Sequence, residues 1–410
     1  MNVSKKRWVI LVASCLINLC LGSIYAWSVF ANAMAGDLSA ATGTTLTIGD
    51  LAIVYTIANS VGPITMITGG WFNDKFGPRK VILIGGLMFG AGMILSGFAT
   101  SVGFLIVTYG IVFGLGLGMT YGTTVSTCMK FFPDKRGLIG GITTAIYGLG
   151  SVILPPIVTA IVRNADGATA FKIIGAVFLI IVCGCSFLME RCPDNYVPEG
   201  WTPPATSNSA AAVNKNWKEM LQTPVFYVMI ILFACGAFCG MMITSQASAV
   251  AMNHAGMTAV MASTAVSVLA FFNAAGRIVA GTLSDKIGRI NILTIAAALS
   301  AIGLFCLYSM HSGDLVLFYI GISAVGLSFG SFMGIYPGFT ADQFGGKNNS
   351  VNYGIMFIGL AIAGYFGPTV MRNTFSMEHS YASAFITGCI LSIAGIVLTF
   401  IYRFLAKRSK

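Results

Sequence analysis

The chain has 410 residues, of which 56% are hydrophobic and only 9% charged. A soluble surface of this size needs about a quarter of its residues charged, so a water-soluble globular protein is excluded. The net charge of +10 could suit nucleic acid, but its placement along the chain excludes that partner, as set out below.

The apolar residues fall into blocks of about 20, the length a helix needs to cross a ~30 Å hydrocarbon core. Twelve such spans are predicted, making an all-α membrane protein. The first, 8–33, starts at Trp8 after "SKKR". No small-residue cleavage site ends it, so it reads as a retained span and not a removed leader. Spans 2–6 are predicted at 48–72, 81–100, 102–130, 137–162 and 168–189. A loop over 191–222 follows, rich in Pro, Ser, Asn and Ala, with the composition of a linker. Spans 7–12 are predicted at 224–251, 257–283, 291–310, 314–341, 351–375 and 381–403.

Lys and Arg divide unequally between the two sides of this plan. One side receives nineteen, from Lys5, Lys6 and Arg7 to the tail residues Lys407, Arg408 and Lys410; the other receives only Arg163, Lys172 and Arg372. This bias is the positive-inside pattern. It predicts that both termini and the long loop are cytoplasmic, and that the basic excess orients the chain in a bilayer. Only Arg277 belongs to neither side.

The ten cysteines lie in apolar blocks without a C-x-x-C pair, and His254, His311 and His379 are isolated near span ends. No zinc, haem or nucleotide motif is visible, so no metal or cofactor is expected. No nucleophile–base pair can be assembled either, which argues against an enzyme.

The two halves repeat. "GGWFNDKFGPRK" at 69–80 and "GTLSDKIGRIN" at 281–291 share G-x-x-x-D-K-x-G at a displacement of 211 residues. "YGLGSVILPP" (147–156) and "IGLAIAGYFGP" (358–368) match at nearly the same displacement. Six spans repeated in one orientation predict two bundles related by an axis along the membrane normal. The expected division is an N-terminal bundle over 1–190, a linker over 191–222 and a C-terminal bundle over 223–410.

On the twelve spans, the middle loop and the doubled D-K-x-G signature, the chain resembles the major facilitator superfamily. More narrowly, "GSIYAWSVF", "FNDKFGPR", "FFPDKRGL" and "YGLG" resemble the oxalate/formate antiporter family, which includes bacterial lactate and pyruvate carriers and is related to animal monocarboxylate transporters. The resemblance covers the whole chain and implies the bacterial inner membrane and a carrier working by alternating access; a monomer is expected. It also implies that the D-K-x-G loops latch the cytoplasmic side while the carrier is open outward. That role falls to Gly70, Asp74, Lys75, Gly77 and Arg79, and to Asp285, Lys286, Gly288 and Arg289. A loop simply anchored at the lipid surface is the alternative.

Arg277 lies nine residues before Lys286, ~13 Å deeper at 1.5 Å per residue and near mid-membrane. An arginine there costs about 2.5–3.5 kcal/mol on insertion scales. No acid shares its span; Asn273, one turn back, offers a hydrogen bond without charge. Of the acids elsewhere, Asp50 and Asp342 come nearest to being embedded. Snorkelling or a structural ion pair are the bland readings. The sharper one is a guanidinium facing water, whose counter-ion is a carboxylate cargo held in bidentate fashion. The resemblance implies the same role for the arginine at this place. Animal relatives carry an aspartate where this chain has Asn273, so proton handling by that acid does not transfer.

Tyr121, Tyr147 and Tyr336 lie at depths comparable with Arg277, and Tyr25 nearer the exterior. Mid-span phenols either face polar space or pack with the hydroxyl on a carbonyl. With Phe332 they match places where the family cages the anion with aromatics. Oxalate-exchanging members carry a lysine a few residues after an N-Y-G triplet, where this chain has Leu360. One buried cation suits a monoanion, since the second charge of oxalate would be desolvated without compensation. The expected function is a carrier of small monocarboxylates, lactate or pyruvate ahead of formate, coupled to a proton. The proton could ride on Asp50, His254 or a tyrosine–water network, or arrive with the substrate as neutral acid. An anion exchanger is the alternative, and a non-transporting carboxylate sensor a third reading.

Overall fold

The computed structural model describes residues 3–47, 49–193, 196–202 and 214–408. Part of the expected linker, residues 194–195 and 203–213, and the tail cation Lys410 lie outside the described residues. Twelve helices are long and apolar enough to cross a membrane. Spans 1–6 are Lys5–Ala40, Ala52–Phe76, Pro78–Ser96, Val102–Phe131, Arg136–Asn164 and Gly167–Ser186. Spans 7–12 are Pro224–Asn253, Val260–Ile287, Arg289–Ser309, Leu315–Phe344, Asn349–Glu378 and Ala382–Lys407. Large apolar side chains stand on the outside, with Ile180 72% and Val316 70% exposed, as expected where lipid is the solvent.

Most boundaries fall within a few residues of the expected ones. The main difference is span 1, which runs to Ala40 instead of 33. Its helix contains a tight turn, Gly22–Ala26, then continues past the apolar block until Gly43. There the chain takes φ 70° and the Gly43 N–H closes on the Ser39 carbonyl, a left-handed helix stop that glycine adopts without a Cβ clash. Spans 2 and 8 stop on the glycines of D-K-x-G. Gly77 (φ 86°) and Gly288 (φ 92°) turn the chain sharply into the next span, with Pro78 supplying the first position of span 3. Span 11 is interrupted at Phe357, between helices Asn349–Met356 and Ile358–Glu378.

The chain forms two compact units, and they are not the two halves of the sequence. Unit 1 comprises Met1–Asp134, Ile146–Asn214 and Gly345–Ile355; unit 2 comprises Lys135–Ala145, Lys215–Phe344 and Met356–Lys410. Each half therefore lends one short segment to the other unit, the start of span 5 to unit 2 and the start of span 11 to unit 1. Glycine contacts explain why. In unit 2, Gly137 and Gly281 meet backbone to backbone, so neither position has room for a methyl group. In unit 1, a methyl at Gly70 would come within 2.7 Å of the Ser350 carbonyl. Small residues allow helices in lipid to approach this closely, where dispersion and backbone contact replace the hydrophobic effect.

Candidate anion site and gating loops

Arg277 sits in span 8 with 2% of its surface exposed, the one charged side chain in the buried class among the described residues. Its Nε donates to Asn273 Oδ1 at 2.8 Å, one helical turn back. Its Nη1 donates to the Thr144 carbonyl of span 5. Among the described residues no carboxylate lies within ion-pair distance of it. The guanidinium is thus oriented by two neutral acceptors while its charge stays uncompensated. A snorkelling side chain would reach the interface, whereas this guanidinium is buried on acceptors of spans 5 and 8.

The backbone around Arg277 is fixed by glycines on two sides. Gly141 of span 5 and Gly334 of span 10 both lie against the Arg277 carbonyl, and Gly330 lies against that of Asn273. A side chain at any of these would force the helices apart. The spacing of Gly330 and Gly334 matches that of Asn273 and Arg277, so one face of span 10 holds both polar residues in place.

Two other expected site residues on span 10 turn elsewhere. Tyr336 is fully buried; its hydroxyl donates to the Met229 carbonyl at 2.7 Å, and its ring stacks on Phe233 at 4.0 Å. Phe332 packs on Gly236 of span 7. This pair, expected in an anion cage or in packing, packs against span 7, since the face of span 10 toward span 8 is taken by glycine. Leu360 is buried in unit 2, beyond the break in span 11. An apolar groove of about 480 Å³ between spans 7, 11 and 12, lined by Phe238, Ile362 and Phe366 among others, offers an anion no donor.

In unit 1 the three tyrosines do come together. Tyr25 meets Tyr147 edge-on at 5.5 Å between ring centroids, and Tyr121 meets Tyr147 at 4.8 Å. Tyr25 is placed by the tight turn in span 1, where Gly22 lies against Gly150 and the Tyr147 carbonyl. Tyr121 and Tyr147 are buried.

The two groups expected to handle a proton lie at span ends. Asp50 is in an exposed turn before span 2, and hydrogen bonds from the Thr47 N–H and hydroxyl hold its carboxyl below the usual carboxylate range. His254 follows span 7, its Nε2 3.0 Å from the Leu307 carbonyl. Asp50, one of the two acids that come nearest to being embedded in the sequence, lies just before span 2, whose helix starts at Ala52.

The D-K-x-G acids cap helix starts. Asp285 accepts from the N–H groups of Gly137 and Leu138, the first turn of span 5, at 2.9 and 3.0 Å. Asp74 accepts from the Val351 N–H at the start of span 11 at 3.4 Å and pairs with Lys130 at 2.6 Å. A carboxylate at a helix start meets unsatisfied N–H groups and the positive end of the dipole. Beside Asp285, Arg289 pairs with both Asp285 and Asp342, and Arg136 pairs with Asp342. Beside Asp74 the network is mainly uncharged: Asn73 donates to Ser126 and Ser350, which bond each other at 2.7 Å. Lys75 lies over Trp71 and Phe76, and Arg79 over Phe187, as cation–π contacts. Lys286 is exposed. The sequence reading missed Thr144, Ser350, Asn73 and the bridging role of Asp342. Only Asp342 carried a signal, as an acid near mid-chain apolar blocks.

The chain matches the family model of the Major Facilitator Superfamily over residues 12–368. The chain belongs to this superfamily. Superfamily relatives include an uncharacterized MFS-type transporter, YhjX, of Escherichia coli, 29% identical and aligned over 88% of this chain and 86% of the relative. The oxalate:formate antiporter of Oxalobacter formigenes is 28% identical over 96% and 91%, and monocarboxylate transporter 12 of Xenopus laevis 23% over 82% and 76%. Solved superfamily structures share the fold. A XylE double tryptophan mutant superposes with a TM-score of 0.78 at 15% identity, covering 97% of this chain and 95% of its own. The E. coli fucose:proton symporter FucP gives 0.69 at 14% identity, covering 96% and 98%.

Proposed function

We propose that this superfamily member is a carrier of small monocarboxylates, lactate or pyruvate ahead of formate, in which Arg277 binds the carboxylate during alternating access. One observation carries this reading: a buried guanidinium oriented by Asn273 and Thr144 with no acid beside it. A planar fork held in place by neutral acceptors matches a carboxylate, and the bound anion cancels a charge the bilayer otherwise penalises. The names of two relatives, an oxalate:formate antiporter and a monocarboxylate transporter, agree with an anionic cargo. Leu360, with no second cation in span 11 before Arg372, favours a monoanion. We place both termini in the cytoplasm of a bacterial cell, on the cation bias, and take a monomer as the working unit. The two D-K-x-G networks, with the segments they cap, are the proposed gate.

Arg277→Lys tests the site. Lysine keeps the charge but loses the fork, so it cannot serve Asn273, Thr144 and a carboxylate together. Lactate binding to purified protein is expected to weaken at least ten-fold while the variant still inserts in the membrane. Wild-type affinity in the variant would remove Arg277 from the site. The same assay run over lactate, pyruvate, formate, acetate and oxalate ranks the cargo.

Proton symport was the coupling expected from sequence, and exchange the alternative. Exchange is favoured by the charge at Arg277. Without cargo and without a neighbouring acid, the carrier must reorient around a bare buried guanidinium; with a monocarboxylate bound, the pair is neutral. Symport would need the proton to travel through the tyrosine cluster or with the substrate, since Asp50 and His254 lie at span ends.

A further inference from the structure

Segment 345–355 carries "GGKNNSVNYGI" and packs within unit 1. Ser350 holds it there: Asn73 Nδ2 donates to Ser350 Oγ at 2.9 Å, and Ser126 Oγ lies at 2.7 Å. Gly70 and Gly354 let the backbones close, with a methyl at Gly354 3.0 Å from the Met66 carbonyl. The residue beside Ser350 behaves in the opposite way. Asn349 is fully buried, and neither its Oδ1 nor its Nδ2 has a hydrogen-bond partner among the described residues.

The Asn348 carbonyl accepts the first intrahelical bond, from the Asn352 N–H, so Asn348 holds the cap position and Asn349 is the first residue inside the helix. The nearby Val351 N–H goes to Asp74. A carboxamide can make about four hydrogen bonds, and one buried with none carries its full desolvation penalty. The docked segment therefore contains one residue that holds it and one that opposes docking.

We propose that Asn349 is the release element of this latch. Its unmet amide raises the free energy of the docked segment and regains hydrogen bonds from water when the segment leaves. The proposal rests on the gating reading given above. It differs from a merely structural role in predicting opposite effects for adjacent residues. Removing Asn349's polarity strengthens docking, whereas removing the Ser350 hydroxyl weakens it.

The test is hydrogen–deuterium exchange over peptide 345–355 in the full-length protein, with lactate exchange in vesicles measured alongside. Asn349→Leu keeps most of the volume and removes both polar atoms; Asn349→Ala guards against a shape clash. Amide exchange is expected to slow at least five-fold in one or both variants, with slower transport, and to quicken at least five-fold in Ser350→Ala. If Ser350→Ala quickens exchange but neither Asn349 variant slows it, the release role is wrong while the latch stands. If Ser350→Ala leaves exchange unchanged, the latch reading itself fails, and the release role with it.

Discussion

At the level of single residues, the proposed function makes charge count the determinant of what is bound. In the proposed site Arg277 supplies one positive charge, and Leu360 stands where the resemblance implies a second cation in oxalate exchangers. Leu360→Lys is therefore expected to shift preference toward oxalate. With a monocarboxylate bound, the added ammonium stays unpaired in a buried position and desolvation favours its neutral form. A dianion pairs with both cations. The surrounding pocket is apolar, so a two- to ten-fold gain in the inhibition of lactate uptake by oxalate is the expected size. Competition in vesicles at matched expression measures it, and unchanged relative inhibition would place Leu360 away from the cargo. Tyr336 illustrates the limit of such residue counting. A mid-span tyrosine looks like a cage residue in sequence, yet its hydroxyl is committed to the Met229 carbonyl.

At the level of elements, close helix contacts set the geometry of the site. Gly334 has no room for a methyl against the Arg277 carbonyl, so Gly334→Ala must separate spans 8 and 10. Overpacking of this kind costs about 1–3 kcal/mol. It should lower the melting temperature and weaken lactate binding together, read by thermal unfolding and calorimetry on one sample. The proposed gate is a second element-level device, built from acids at helix starts. Asp74→Asn leaves Lys130 without its anion and weakens the cap on span 11. Cycling should slow several-fold while equilibrium lactate affinity changes less than two-fold, because the network acts on a two-state contact and not on the ligand. An equal loss of affinity would argue against a gating role. The two D-K-x-G networks differ in chemistry. That of Asp285, Arg289, Asp342 and Arg136 is ionic, whereas that of Asn73, Ser126 and Ser350 is mostly neutral.

At the level of the whole molecule, the uncompensated charge of Arg277 predicts how transport is coupled. Vesicles preloaded with lactate should take up labelled lactate at least ten-fold faster than empty vesicles. An inward proton gradient across empty vesicles should drive little uptake. Rapid gradient-driven uptake into empty vesicles would overturn exchange and restore the proton-coupled reading. Failure of uptake under both conditions would leave only a sensor.

Much of this protein was legible in its sequence because the bilayer imposes simple rules. Each span must satisfy its own backbone hydrogen bonds, so twelve apolar blocks become twelve helices. The doubled D-K-x-G marked the repeat and the glycine turns, since positive φ at Gly77 and Gly288 is a local demand. Arg277 stood out because a charge at mid-span is costly wherever it points. Tertiary structure alone decided the rest. Thr144 holds Arg277 through a backbone carbonyl, which no side-chain pattern announces. Phe332 and Tyr336 face span 7 because glycines occupy the side toward span 8. Ser350 and Asn349 are adjacent polar residues of similar character in sequence. One is held by Asn73 and Ser126, whereas the other is buried one residue inside the helix start, past the cap position at Asn348, with no side-chain partner among the described residues.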